Sequence, residues 1–458
     1  MKQLIYIKLI LPFLISFTFF SACKKDSTGP EINKAPQLLS ETLVTAIADS
    51  AFVYQLETSD PEGEMVQVSI LDKPAWLNYA DNTQTFSGTP RRDDAGLNRL
   101  NIQLSDGLNT IEREIQISVI VVRSFAEQLQ ESLQTAFENL TPGLAGVSVA
   151  VSTPENELTT AWTGSSHYAQ PKPIEATSQY RVASISKTFT AALILRMVEE
   201  GYLELDAPFS NYLPIDGLEY GDQITIRQLL SHTGGVFDHL NSNVFWNDPN
   251  NYSTKVWNNS EIFQFAVDAG AYFEPGTGYA YSNTGFYILG AIAEKVLSES
   301  LAKIFNTWIF DPLGLENTFY DDYSMIGVPI QNLAESQRAY DYHLSAAGAA
   351  GAIVSTPTDI AKFGKALYGG DFLQSEHVEA MLINIGGPLG GSDYGLGTRL
   401  WDDLGINHYG HTGSLMDYRN ILMYVPGKSV AIAVHTNDVH ENWFDLVNQI
   451  LLTTVNAF

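Results

Sequence analysis

Ser184-Ile-Ser-Lys187-Thr-Phe-Thr-Ala-Ala-Leu-Ile-Leu-Arg-Met-Val-Glu-Glu200, stopped by Gly201, reads as a long apolar helix that opens on a serine and a lysine three residues apart. In the first turn of that helix, Ser184 would sit at the positive end of the helix dipole, which favours developing negative charge. The i,i+3 spacing puts Lys187 on the same face, within reach of the serine oxygen. Partial burial would lower the lysine pKa and let it share or accept a proton. On its own the pair is read more plainly as an N-cap and a solvated charge. The chain also repeats the pattern at Ser21/Lys24 and Ser300/Lys303.

Two later motifs change that balance. Tyr281-Ser-Asn283 lies in the Pro/Gly-rich run Phe273-Glu-Pro-Gly-Thr-Gly-Tyr-Ala-Tyr-Ser-Asn-Thr-Gly285, ahead of a helical run from Phe286 to Val296. A tyrosine beside a cationic lysine is expected to have a depressed phenol pKa and to take the serine proton. Asn283 has an amide donor and an acceptor with which to hold a substrate carbonyl or a neighbouring side chain. His411-Thr412-Gly413-Ser414 precedes two C-terminal strands. There, glycine would let a substrate backbone approach an edge strand. The N–H of Ser414, with that of Ser184, would form a two-donor oxyanion hole. His411 would bond the tyrosine or orient the substrate. Look-alikes occur at Tyr418/Asn420 and His232/Gly234, and the second reads as a stop to the helical stretch Ile224–Leu230. In this order the motifs are equipment for acyl transfer through a serine ester.

Around them the pattern is that of a mixed domain. Phe125, Leu129, Leu133, Ala136, Phe137 and Leu140 recur at helical spacing and end at Thr141-Pro-Gly143. Strands are predicted over Gly146–Ser152, Leu158–Trp162, Ile421–Val425 and Ser429–Val434, with an amphipathic helix from about Glu441 to Val455. Hairpins at both ends imply an antiparallel sheet flanked by helices, with a helical subdomain between. Residues 37–122 differ. Alternating runs such as Phe52–Leu56, Val66–Ile70, Leu100–Leu104 and Glu114–Val119, punctuated by turn residues, predict an all-β immunoglobulin-like sandwich.

Residues from about Phe125 onward resemble the serine β-lactamase and penicillin-binding-protein superfamily, on its class C, D,D-carboxypeptidase and family VIII esterase side. Beyond the three motifs, the resemblance rests on Leu229-Leu-Ser-His-Thr-Gly-Gly235, Phe273-Glu-Pro-Gly276, Asp311-Pro-Leu-Gly-Leu315 and the run Ala347–Ser355 leading to Asp359. It implies an α/β β-lactamase-like domain over 124–458, Ser184 as nucleophile, Lys187 as its proton partner and Tyr281 as general base. It further implies Asn283, His411, Thr412, Gly413 and Ser414 as substrate-binding residues, with no cofactor and no metal. His411 stands where β-lactamases of this group carry lysine, so a permanent positive charge for an antibiotic carboxylate is missing. The expected substrate stays open between small esters, D-amino-acid peptides or amides, cell-wall peptide included, and lactams. The alternative is a non-catalytic surface binding or sensor protein with a retired site. A third reading is an adhesin whose function lies in the sandwich. Specificity is expected in the insert Phe237–Tyr272, which holds Trp246 and Trp257.

The segment before it resembles cadherin-like modules, on Asp60-Pro-Glu-Gly-Glu64, Pro74-Ala-Trp-Leu77, Phe86-Ser-Gly-Thr-Pro90 and Leu104-Ser-Asp-Gly107. Asp60, Glu62 and Asp106 are the oxygens a Ca²⁺ ion would draw on; the plainer reading, preferred here, makes them turn residues.

The formal net charge of −27 argues against nucleic acid and anionic headgroups as partners. Lys2 and Lys8, an apolar run Leu9–Phe20 and Ser21-Ala22-Cys23 read as a lipoprotein signal over 1–22, with Cys23, the only cysteine, as the lipidated residue and 23–36 as a tether. The run is too short to span a bilayer. The expectation is therefore an exported bacterial lipoprotein of the outer membrane, cell surface or periplasm, held by lipid alone.

Overall fold

The computed structural model describes residues 32–140, 145–166, 172–322, 333–334, 342–389 and 392–458. The expected leader, Cys23, the Ser21/Lys24 pair and the turn at Thr141–Gly143 lie outside them. The chain forms two compact units, one ending at Val122 and the other beginning at Arg123.

The first unit is a sandwich. Its four-stranded sheet runs Leu43–Ile47, Thr110–Ile120, Gly96–Ser105, Gln67–Asp72, with the first pair parallel and the others antiparallel. A three-stranded sheet, Phe52–Gln55, Thr85–Gly88, Leu77–Ala80, closes the core. Strand alternation sends Leu100, Ile102 and Leu104 inward with Ile115, Ile117 and Val119, against Phe52, Tyr54, Leu77 and Phe86. Gly88 is required by packing, because a Cβ there would lie 2.1 Å from the Trp76 carbonyl oxygen. The acidic residues act in turns. The Asp60 carboxylate accepts the N–H groups of Glu62 and Glu64, the Asp106 carboxylate those of Leu108 and Asn109, and Glu62 pairs with Lys34.

The second unit is built on a nine-stranded antiparallel sheet. Its order is Lys172–Pro173, Leu158–Ser166, Gly146–Ser152, Val430–Thr436, Tyr418–Val425, Ile406–Leu415, Arg399–Asp403, Ser392–Tyr394, Gly386–Leu389. Both terminal helices, Phe125–Asn139 and Trp443–Ala457, share one core with Val147, Val149, Val151, Ile432 and Val434. Ser124 starts the first helix with a capping box to Glu127. The opposite sheet face, with Ala150, Leu422 and Ala433, joins a larger core containing the helices Ser186–Glu199, Asn283–Leu297 and Pro357–Gly369. The insert between Phe237 and Tyr272 folds as helices that cap this core. Trp257 is buried, while Trp246 stays partly exposed and donates its indole N–H to the Leu240 carbonyl. Among the described residues no helix is long and apolar enough to cross a membrane.

Candidate active site

Ser184 lies in a 3₁₀ turn, Ala183–Ile185, and the helix proper starts at Ser186. The expectation that Ser184 occupies the helix's first turn is thus corrected by two residues. The cause is Ala183, whose φ of +51° bends the chain sharply before the helix. Such a conformation is costly for a non-glycine residue and projects the next side chain out of the packed helix. Ser184 is accordingly half-buried between buried neighbours.

Lys187, one turn on, is fully buried. Its ammonium donates to Ser184 Oγ (3.0 Å), Asn283 Oδ1 (2.7 Å) and the Ala350 carbonyl (2.9 Å), which uses all three of its protons. Burial lowers its pKa from 10.5 to about 7; the Asp238 carboxylate works against that shift and the Arg399 guanidinium adds to it. Nζ also lies 4.9 Å from the centre of the Tyr281 ring.

Tyr281 shares a hydrogen bond with Ser184, so the phenol and the amine meet the same oxygen. Its pKa moves opposite to the sequence expectation. Desolvation raises it, and the Ser184 bond and Arg399 only partly offset this. Of the two groups that meet the Ser184 oxygen, Lys187 loses its proton more easily than Tyr281.

Asn283 is turned toward the protein. Its Oδ1 receives Lys187 and its Nδ2 donates to Asp238 Oδ2 at 2.9 Å. A carboxylate only accepts and an ammonium only donates, so this orientation of the amide is fixed. Asp238 is almost completely buried and was missed by sequence reasoning. The signal available was slight: an acid three residues beyond the Gly234-Gly235 stop.

His411 is fully buried and neutral, since burial and the nearby Arg399 hold its pKa well below the usual imidazole value. Nδ1 donates to the Thr412 carbonyl (2.6 Å), leaving Nε2 to accept the hydroxyl of Tyr394 (3.0 Å). The tyrosine it bonds is therefore Tyr394, while the Tyr281 ring stands 6.4 Å away. Tyr394 comes from a glycine-rich stretch with no periodicity to betray it. His232, read only as a helix stop, packs its ring 4.2 Å from that of Tyr281 and 4.7 Å from Tyr394. Its Nδ1 accepts the Ser282 N–H, so it braces the loop that carries Tyr281.

The strand Ile406–Leu415 is paired by Arg399–Asp403 only as far as Gly410, so His411 to Leu415 run on with the nucleophile turn alongside. Contact there is close. A Cβ on Gly413 would lie 2.0 Å from the Val182 carbonyl oxygen. Glycine is therefore demanded first by the protein's own backbone. Asn420, the look-alike on the next strand, donates to the Arg181 and Gly413 carbonyls and clamps turn to strand. Thr412 is half-buried and Ser414 exposed beside this turn. Ser300 and Lys303 are at the surface: Ser300 caps the helix Leu301–Phe305, and Lys303 pairs with Glu299.

The β-lactamase family model matches residues 122–455, and a putative Ig domain model matches residues 35–120. The chain belongs to the β-lactamase family. A penicillin-binding protein of Bacillus subtilis (strain 168) is 31% identical over 259 residues, covering 51% of this chain and 55% of that protein. Penicillin-binding protein 4 of Amycolatopsis lactamdurans is 27% identical over 323 residues, 66% of this chain and 82% of the relative. Among solved structures, D-amino acid amidase from Ochrobactrum anthropi SV3, in complex with L-phenylalanine, superposes with a TM-score of 0.66 at 27% identity. That match covers 72% of this chain and 99% of the amidase.

Proposed function

We propose that this protein hydrolyses D-amino-acid amides or small esters through an acyl-Ser184 intermediate. The observation that carries the proposal is the buried Lys187, whose three protons are all engaged and one of which points at Ser184 Oγ. When Lys187 is neutral it keeps the bonds to Asn283 and Ala350 and turns its lone pair toward the serine hydroxyl. Lys187 then takes the Ser184 proton as Oγ attacks the substrate carbonyl carbon. The N–H groups of Ser184 and Ser414 receive the oxyanion. Tyr281, a neutral phenol, gives its proton to the leaving nitrogen or oxygen and recovers one from Lys187. Water then attacks the ester carbonyl and loses a proton to the same pair, which returns it to Ser184 Oγ as the acyl–oxygen bond breaks and the acid is released.

The likeness to an amino acid amidase supports an amino-acid amide as substrate. The neutral His411 supports slow turnover of penicillins, whose carboxylate finds no charge at that position. Export and tethering through Cys23 are part of the proposal, supported by the leader pattern. The test is hydrolysis of D- and L-phenylalaninamide and p-nitrophenyl butyrate by residues 24–458, with Ser184→Ala beside it. Turnover lost in the variant supports the proposal. Turnover that survives, or none in either protein on any of the three substrates, overturns it.

A further inference from the structure

A connected line of polar atoms leads away from the nucleophile into the protein. Ser184 Oγ accepts from Lys187 Nζ, Lys187 donates to Asn283 Oδ1, and Asn283 Nδ2 donates to Asp238 Oδ2, at 3.0, 2.7 and 2.9 Å. The line ends on a carboxylate that is 4% exposed. Its other oxygen accepts the Leu240 N–H at 3.1 Å, which caps the short turn His239–Asn241. Burying a carboxylate is costly without a compensating charge. Among the described residues the only ion-pair neighbour of Asp238 is His239, 3.8 Å away. That ring does not compensate. Its Nε2 lies 2.8 Å from the Ala346 carbonyl and so carries the proton, and Nδ1 is left to accept from Thr284 Oγ1. Burial lowers the His239 pKa as well, keeping the ring neutral. The positive charge closest along the hydrogen-bonded line is Lys187, one amide away.

We propose that Asp238, acting through the Asn283 carboxamide, orients Lys187 and governs when that lysine is charged. This rests on the reading of Lys187 as the proton acceptor for Ser184. Asp238 is a positioning residue, since Asn283 separates it from the reacting atoms. Two effects follow from one carboxylate. Because Asp238 only accepts, Asn283 must present its carbonyl oxygen to Lys187, which fixes the amine beside Ser184. Because Asp238 is negative in a low-dielectric setting, it favours the ammonium and keeps the lysine from being driven permanently neutral by burial and by Arg399. Among the described residues, the other titratable groups near Lys187 are Tyr281, His232, His239 and His411; burial keeps each of these neutral near pH 7. Asp238 and Arg399 are thus the opposing charges that set the balance.

The replacement Asp238→Asn separates these effects from simple structural support. An asparagine can donate, so Asn283 is free to turn over and offer its NH₂ to Lys187, which only a neutral amine accepts. The expected result is a kcat/KM that falls at least about tenfold at pH 8, with the acidic limb of its pH profile moved down by about one unit. Asp238→Glu, which keeps the charge, should hold the limb within a few tenths of a unit of the parent whatever it does to kcat. Profiles of the parent, Asp238→Asn and Asp238→Glu are measured together with p-nitrophenyl butyrate, and thermal unfolding reports folding. A limb that stays in place in a folded Asp238→Asn overturns the inference. If Asp238→Asn fails to fold, Asp238→Glu decides: a limb displaced by a unit or more overturns it, and a limb in place supports it. A parent profile with no acidic limb near neutrality instead overturns the reading of Lys187 on which the inference rests.

Discussion

The ionisation of Lys187 makes the sharpest forecast. Moving its pKa from 10.5 to about 7 corresponds to about 5 kcal/mol of preference for the neutral amine, set mainly by complete burial. A lysine that accepts the Ser184 proton must be neutral beforehand. Hence kcat/KM should rise with pH, reach half its plateau near pH 7 and be flat by about pH 8.5. Below the midpoint it should fall about tenfold per unit, to about 1% of the plateau at pH 5. The competing assignment, Tyr281 phenolate as base, has a different signature. Burial raises that phenol, so a rate needing the phenolate in the free enzyme would keep climbing beyond pH 10. The assay is kcat/KM for p-nitrophenyl butyrate between about pH 5 and pH 10.5, corrected for spontaneous hydrolysis. Lys187→Arg, permanently charged, should show no plateau activity. A profile without a limb near 7, or one still rising at pH 10, would refute the argument. The same ionisation has a stability signature. Between the folded value near 7 and the unfolded value near 10.4 the unfolded chain binds the extra proton, so this group's contribution to stability grows as pH rises across that window.

Tyr281→Phe keeps the ring against His232 but removes the phenolic proton, and should lower kcat by about 10²–10⁴-fold with little change in unfolding temperature. Gly413→Ala forces a methyl group onto the Val182 carbonyl, so it should destabilise by about 1–3 kcal/mol and disturb the nucleophile turn; calorimetry and the burst amplitude read both. Deleting residues 37–122 removes a unit with its own core, and the hydrolase unit should keep its kcat/KM within about threefold, measured on the same ester.

What could be read from the sequence was what local pattern encodes. The strand Gly146–Ser152 matches its predicted limits because every second residue, Val147, Val149 and Val151, faces one core. The helices at Phe125 and Trp443 followed from apolar spacing, the second starting at Trp443 where about Glu441 was expected. Ser184, Lys187, Tyr281 and Asn283 meet in space as their motifs suggested. Side-chain direction and charge were not legible. Asp238, Tyr394 and Arg399 reach the site only through tertiary convergence, from a turn and two neighbouring strands, and carry no local signal. The phenol shift was misjudged because the sequence shows the lysine's charge but not the burial that largely removes it. Likewise Gly413 reads as space for a substrate until the Val182 carbonyl is seen beneath it.

The central claim is a covalent bond to Ser184, and mass spectrometry of the trapped enzyme tests it most directly. Protein mixed with excess p-nitrophenyl butyrate and quenched in acid within the burst should gain one butyryl group, about 70 Da, on the peptide containing Ser184. The adduct should vanish in Ser184→Ala and accumulate if deacylation is slowed by Tyr281→Phe. An adduct on another residue, or turnover in Ser184→Ala, would contradict the account.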